Sequence, residues 1–203
     1  MKTKSKTPTL ILASRSRYRA ELLQRLRLPF TQQAADVDET PQRGEAPAAL
    51  ALRLAVQKAQ AIAQKKLGCW VLGSDQVVAT GLKLLGKPGT RARAIAQLSL
   101  LSGKSVQFVT AVALIRDGEP AHSALDTTLV RFRKLKQAEI ERYVDAEPAF
   151  DCAGSFKCEG LGITLCESIE TRDPTALIGL PLIATRALLA EAGCFYGLKA
   201  STN

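Results

Sequence analysis

Two long runs of largely apolar and β-branched residues, Ser105 to Ile115 and Ser123 to Phe132, stand almost back to back, with a polar stretch containing Asp117-Gly118 between them. Runs of that composition joined by so short a turn pair antiparallel. The flanking sequence has another grammar, in which short apolar runs alternate with helical patterns, as in units whose strands lie parallel. Leu10-Ile11-Leu12-Ala13 reads as a buried strand, and Tyr18, Leu22, Leu23 and Leu26 follow at helical spacing. Ser14 or Ser16 caps that helix, and Leu28-Pro29 ends it. Phe30 to Asp36 reads as a second strand. Ala48 to Lys66 is an alanine-rich helix closed by Gly68, and Trp70 to Gly73 is a strand that ends on Ser74-Asp75-Gln76. Arg91 to Leu101 and Gln137 to Val144 are helical, while Glu147 to Gly162 is irregular. Ile163-Thr164-Leu165 is a strand, Pro181 to Ala192 a closing helix with proline in its first turn, and the last ten residues look loose. The hairpin excludes a purely parallel sheet. The expected fold class is therefore α/β, a mixed sheet flanked by helices in two lobes around a cleft, with all 203 residues in one domain.

Composition removes several classes of function. Hydrophobic residues at 46% and charged residues at 23% exclude a disordered chain. Five cysteines, an odd number without C-x-x-C pairs, argue for reduced thiols in a cytoplasmic protein over a disulfide framework or a zinc site. Lys2, Lys4 and Lys6 imitate the start of a signal peptide, but the apolar run behind them falls short of the roughly 7–15 residues needed. No run approaches the roughly 18–20 apolar residues of a membrane-spanning helix. Lys and Arg number 28 against 19 Asp and Glu, a net charge of +9. The arginines and lysines are spread along the chain without a nucleic-acid motif, and one Trp and three Tyr offer little stacking surface. A non-catalytic nucleic-acid binder is thus the weaker reading. A positive surface equally suits a small polyphosphate substrate.

The single histidine, His122, lies in a polar turn between strands, which disfavours histidine-based catalysis or metal binding. Acid–base chemistry then falls to carboxylates or lysine, and any metal to oxygen ligands, as suits magnesium or manganese. Several positions are candidates. Ser14-Arg15-Ser16-Arg17-Tyr18-Arg19 joins a strand to a helix, where free N–H groups and the helix dipole attract anions, although an ordinary helix cap looks the same. Asp75 lies where the apolar run Trp70 to Leu72 ends, placed to bind metal, activate water or merely cap a turn. Glu39 is either a second oxygen ligand or part of a solvated acidic loop. Lys58 and Lys87 are either phosphate-binding point charges or exposed lysines. Asp151 to Gly160 has glycines that let backbone approach a ligand.

In order, these stretches resemble one known family. Leu10-Ile11-Leu12-Ala13-Ser14-x-Ser16-x-x-Arg19-x-x-Leu22-Leu23 opens as Maf-like nucleotide pyrophosphatases open. The likeness continues through Val37-Asp38-Glu39-Thr40-Pro41, Lys58-Ala59, Gly73-Ser74-Asp75-Gln76-Val77 and Gly86-Lys87-Pro88. It ends with Cys152 to Leu165 and Ile178-Gly179-Leu180-Pro181-Leu182, so it covers roughly residues 9 to 192. The resemblance implies a fold like that of the inosine triphosphate pyrophosphatases, often dimeric, and metal-dependent hydrolysis of a nucleoside triphosphate to monophosphate and pyrophosphate. It implies Asp75 as proton acceptor, with Ser14, Arg19, Glu39, Lys58 and Lys87 lining the substrate and metal site. Three positions separate branches of the family. The branch acting on dTTP and UTP has Arg, Thr and Gln where this chain has Tyr18, Gln76 and Glu159; the branch acting on 7-methyl-GTP has Trp, Gln and Glu. This chain is similar to the second, with Tyr18 in place of Trp and Arg17 in place of the family's usual Pro. Methylation at N7 makes guanine cationic, which suits the aromatic face of Tyr18, and Glu159 accepts hydrogen bonds from the guanine edge.

Overall fold

In the computed structural model, residues 10–81 and 83–194 are described, so the amino-terminal lysines lie outside them, as does all but Cys194 of the expected loose end. One sheet organises the chain. Strand β1 (Leu10–Leu12) runs parallel to β2 (Phe30–Gln32) on one side and to β3 (Trp70–Thr80) on the other. From β3 outward every pairing is antiparallel: β3 carries the short β4 (Lys83–Leu85) and pairs β5 (Ser105–Ile115), which pairs β6 (His122–Phe132), which pairs β7 (Cys166–Glu170). The order is β2-β1-β3-β5-β6-β7, a mixed sheet flanked by helices as expected.

Among the described residues, five α-helices cover it. Helix α1 (Arg17–Gln24) and α5 (Leu182–Glu191) pack with Leu12, Leu72 and Leu114 around Leu22, Leu23, Leu180 and Leu189. Helix α3 (Arg91–Leu101) and α4 (Gln137–Ala146) pack over the other end of the long strands, around Leu98, Phe108, Phe132, Ile140 and Phe156. Helix α2 (Pro47–Ala63) lies against β3 and β5 through Ala51, Ala55 and Ala59, each without exposed surface. The two apolar clusters are the two expected lobes, and β3 and β5 pass through both. No helix among the described residues is long and apolar enough to cross a membrane.

Several local readings need correction. β2 stops at Gln32, well short of Asp36, because its partner β1 ends at Leu12, whose carbonyl takes the last ladder bond from the Gln33 N–H. β3 does not end at Gly73 but continues through Val77-Val78-Ala79, which pair with Val109, Phe108 and Gln107 of β5. Asp75 therefore sits in mid-strand. Leu161–Leu165 forms 3-10 turns instead of a strand: Thr164 donates its hydroxyl back to Leu161 O, and Arg133 takes the Thr164 carbonyl, so the ladder starts only at Cys166. His122 begins β6 instead of lying in the turn, its ring 6.0 Å from that of Trp70 and its Nδ1 3.6 Å from Glu191. β4 is three residues long and left no periodic signal.

Candidate active site

The site begins where β1 hands over to α1. Ser16 caps the helix, accepting from the Arg19 N–H at 3.3 Å, and Ser14 Oγ accepts from the Ser16 N–H at 3.1 Å. Gln32 holds this loop from the neighbouring strand by donating to Ser14 O at 2.8 Å and Ser16 O at 3.2 Å. Arg19 reaches back across it, with Nη1 3.4 Å from Ser14 Oγ and Nε donating to Gly179 O at 2.9 Å. Gly179 has φ of 123°, a conformation that glycine adopts without strain. Burial, the largest influence, lowers the Arg19 pKa, while Asp75 and Glu39 pull it up.

The charged centre lies beside that loop. Lys58 Nζ is 2.6 Å from Asp75 Oδ1 and 2.6 Å from Glu39 Oε1. Lys58 and Asp75 are buried, whereas the Glu39 side chain is 60% exposed and reaches in from its loop. Gly73 makes this meeting possible. A Cβ there would sit 2.1 Å from Ala55 O and 2.8 Å from Ala59 N, so only glycine lets α2 come this close to β3. The next residue before Ala59 on α2 is Lys58, and two residues beyond Gly73 on β3 is Asp75. Burial pushes the Glu39 carboxyl up, but the hydrogen bond and charge of Lys58, with the charges of Lys87 and Arg19, outweigh it and hold Glu39 below the ordinary carboxylate range. The Glu39 loop has its own tether: Arg53 Nε and Nη2 pair with Glu45 at 2.6 and 2.7 Å, and Nη2 also donates to Thr40 O at 3.1 Å.

Two adjoining chambers open from this centre, of about 510 and 530 Å3. Arg19, Glu39, Lys58, Lys87 and Tyr18 face both. Asp75, Gln76 and Glu159 line only the first, with Phe156 and Leu177, and Ser14 lines only the second. All nine candidate residues of the sequence thus meet around one cleft. Tyr18 donates to Asp151 at 3.5 Å and accepts from Arg17 at 3.0 Å, and its ring has the Arg17 guanidinium at 4.8 Å and Lys157 Nζ at 5.6 Å. Burial raises its phenol pKa against the opposing hydrogen bond from Arg17. Gln76 turns its Nε2 away from the cleft, donating to Thr110 Oγ1, Ala176 O and Leu177 O, each at 3.0 Å.

Sequence reasoning missed Arg53, Gln32 and Thr110. Each acts on another residue instead of facing the cleft in a motif, and only the pairing of strands and loops brings them there. Among the described residues no group of three or more His, Cys, Asp or Glu forms a ready metal cage. Glu39 and Asp75 each turn one oxygen onto Lys58 Nζ, and a hard divalent cation would be held by their remaining oxygens together with substrate phosphates.

A model of the Maf-like protein family matches residues 9–192. The chain belongs to the Maf-like family. Among its Maf-like relatives, a protein of Xanthomonas oryzae pv. oryzae named 7-methyl-GTP pyrophosphatase is 61% identical over 186 residues, which are 92% of this chain and 97% of that one. A relative of the same name from Bordetella avium is 55% identical, over 92% of this chain and 94% of its own. Among solved structures, the Ham1 protein of Staphylococcus aureus matches this Maf-like chain with a TM-score of 0.48 and 15% identity, over 63% of this chain and 73% of that one.

Proposed function

We propose that this Maf-like protein hydrolyses 7-methyl-GTP to 7-methyl-GMP and pyrophosphate, removing a modified nucleotide from the pool. The observation that carries the proposal is the Lys58 ammonium shared between Asp75 and Glu39 beside the serine- and arginine-lined loop of α1. The names of the relatives that align with nearly the whole chain support the substrate.

In this reading the triphosphate lies along the second chamber, against Ser14, Arg19, Lys58 and Lys87. Lys58 engages Oδ1 of Asp75, and the other carboxylate oxygen takes a proton from water as the water oxygen bonds to phosphorus. The α–β anhydride bond breaks, and pyrophosphate leaves with the electron pair. Arg19, Lys58 and Lys87 offset the charge that develops. Glu39 and Asp75 would hold a magnesium or manganese ion, which when bound neutralises phosphate oxygens and lowers the cost of attack. Tyr18, Gln76 and Glu159 surround the base in the first chamber. A homodimer, a cytoplasmic location and a single domain belong to the same proposal. The first rests on the family resemblance, and five free cysteines support the second.

One observation favours a broader substrate range that includes UTP or dTTP: the Tyr18 ring already has two cations near it, Arg17 and Lys157, which compete with a cationic base. Pyrophosphate release from 7-methyl-GTP, GTP, UTP and dTTP, with magnesium and with manganese, decides between the readings. The expected result is metal-dependent release with the highest kcat/KM for 7-methyl-GTP. A higher value for UTP would move the chain to the other reading, and no release from any nucleotide would overturn both.

A further inference from the structure

Four side chains from three elements end on one short stretch of backbone beside the cleft. Gln76 of β3 donates to the carbonyls of Ala176 and Leu177. Thr110 of β5, fully buried, donates to Ala176 O at 2.9 Å while accepting from Gln76. Ser74 of β3 lies 3.1 Å from Gly179 O, the same carbonyl that accepts from Arg19 of α1. Residues 176–179 are therefore a rack of carbonyls on which a base-facing side chain and a phosphate-facing one both rest.

The rack is held from behind. Asp173 is 3% exposed and lines neither chamber. Its Oδ1 accepts from the Thr175 N–H at 3.0 Å and the Thr175 hydroxyl at 2.6 Å, and its Oδ2 accepts from the Ile183 N–H at 2.6 Å. Thr175 Oγ1 in turn accepts from the Leu182 N–H at 2.8 Å. One carboxylate thus closes residues 173–183 into a loop and satisfies the start of α5, whose own cap position, Pro181, supplies no side-chain hydrogen bond.

We propose that Asp173, acting through Thr175, is a positioning residue for nucleotide recognition; the proposal rests on the nucleotide reading above. Its consequence is a set direction for two recognition groups. A reversed Gln76 amide would set its oxygen against two carbonyl oxygens, so Gln76 keeps its NH2 on the rack and presents Oε1, an acceptor, to the base. That acceptor, like Glu159, matches the N–H groups along a guanine edge, whereas uracil offers one N–H between two carbonyls. Arg19, tied at Nε, presents its terminal nitrogens to phosphate.

The test compares Thr175→Val, which keeps the shape and removes the hydroxyl, with Thr175→Ser and Asp173→Asn. Affinities for 7-methyl-GTP and UTP are measured by calorimetry in EDTA, where no turnover is needed, and kcat, KM and Tm follow with magnesium. Thr175→Val is expected to weaken 7-methyl-GTP binding about tenfold, as the loss of a buried hydrogen bond does. It should also narrow the preference over UTP and raise KM more than it lowers kcat, and Thr175→Ser should restore all three. A lower Tm with an unchanged ratio between the two nucleotides would overturn the proposal and leave only a structural role. Asp173→Asn should shift the ratio in the same direction, and if it does not fold, the threonine pair decides alone. A wild-type protein that binds 7-methyl-GTP yet releases no pyrophosphate from it defeats the reading of function while the affinities still judge the positioning role. One that binds neither nucleotide overturns both.

Discussion

At the scale of single residues, the Lys58 ammonium is the group between two carboxylates, 2.6 Å from each, and only one of them is buried. Asp75 is buried on the floor of the first chamber, with Oδ1 on that ammonium. Glu39 reaches in from a loop with most of its side chain exposed. In the proposed mechanism this difference favours Asp75 over Glu39 as the proton acceptor. Asp75→Asn keeps an oxygen to accept from Lys58 but removes the base, so kcat is expected to fall by about 100-fold or more with KM nearly unchanged. A steady-state assay of pyrophosphate release checks this, and a fall of only a few-fold would remove Asp75 from that role. Glu159→Gln keeps the size of the side chain and loses its charge, so the preference for a cationic base over UTP should shrink by about tenfold. The ratio of kcat/KM for the two nucleotides measures it, and an unchanged ratio would take Glu159 out of base selection.

At the scale of elements, Lys58 meets Asp75 because α2 lies directly on β3. The helix presents Ala51, Ala55, Ala59 and Ala63 at four-residue spacing, all buried, and β3 answers with Gly73. The richness of this helix in alanine is legible in the sequence, as are the bounds of α3 and β5, which Thr90 and Gly103 punctuate. Where the alanine stripe lands is not legible, since helical spacing defines a face but never its partner. The second half of β3 was hidden for a related reason: Ser74-Asp75-Gln76 reads as the polar end of a strand until β5 is seen to pair on through Gln107. Gly73→Ala places a methyl group inside the backbone of α2, so it should cost about 3 kcal/mol of stability. By prising Lys58 from Asp75 it should also cost about 100-fold in kcat/KM. Denaturant melts and kinetics on the folded fraction report the two effects separately, and wild-type values for both would mean that α2 does not set the site. The Glu39 loop depends on the same helix, through Arg53. Arg53 and the Gln42 N–H hold the Glu45 carboxyl down to about 2. A carboxyl depressed in the folded state steadies its loop above its ordinary value near 4.5, and that contribution disappears as pH falls toward 2. Arg53→Gln should return Glu45 toward 4.5 in a carboxyl NMR titration and lower the apparent metal affinity in turnover. A Glu45 titration unchanged by the substitution would mean that Arg53 is not the tether.

At the scale of the whole molecule, the two lobes are two ends of one sheet. β3, β5 and β6 are each eleven residues long, roughly 35 Å of strand, and β3 and β5 contribute side chains to both apolar clusters. Lobes joined by a linker hinge freely, whereas lobes that share hydrogen-bonded strands move only by bending those strands. The net charge of +9 draws a triphosphate toward a cleft whose floor is therefore rigid and whose rim is made of loops. Those loops carry Glu39, Lys87 and Glu159, and the floor carries Asp75 and Gln76. Closure around substrate must then come from the rim. Hydrogen exchange measured with and without 7-methyl-GTP, in the absence of metal, should show new protection in residues 36–45, 86–90 and 151–160. Exchange in β3 and β5 should stay the same, because opening those strands already requires unfolding most of the sheet. Protection gained along β3 and β5 with none in the loops would mean that the lobes close as bodies and that the sheet bends to let them.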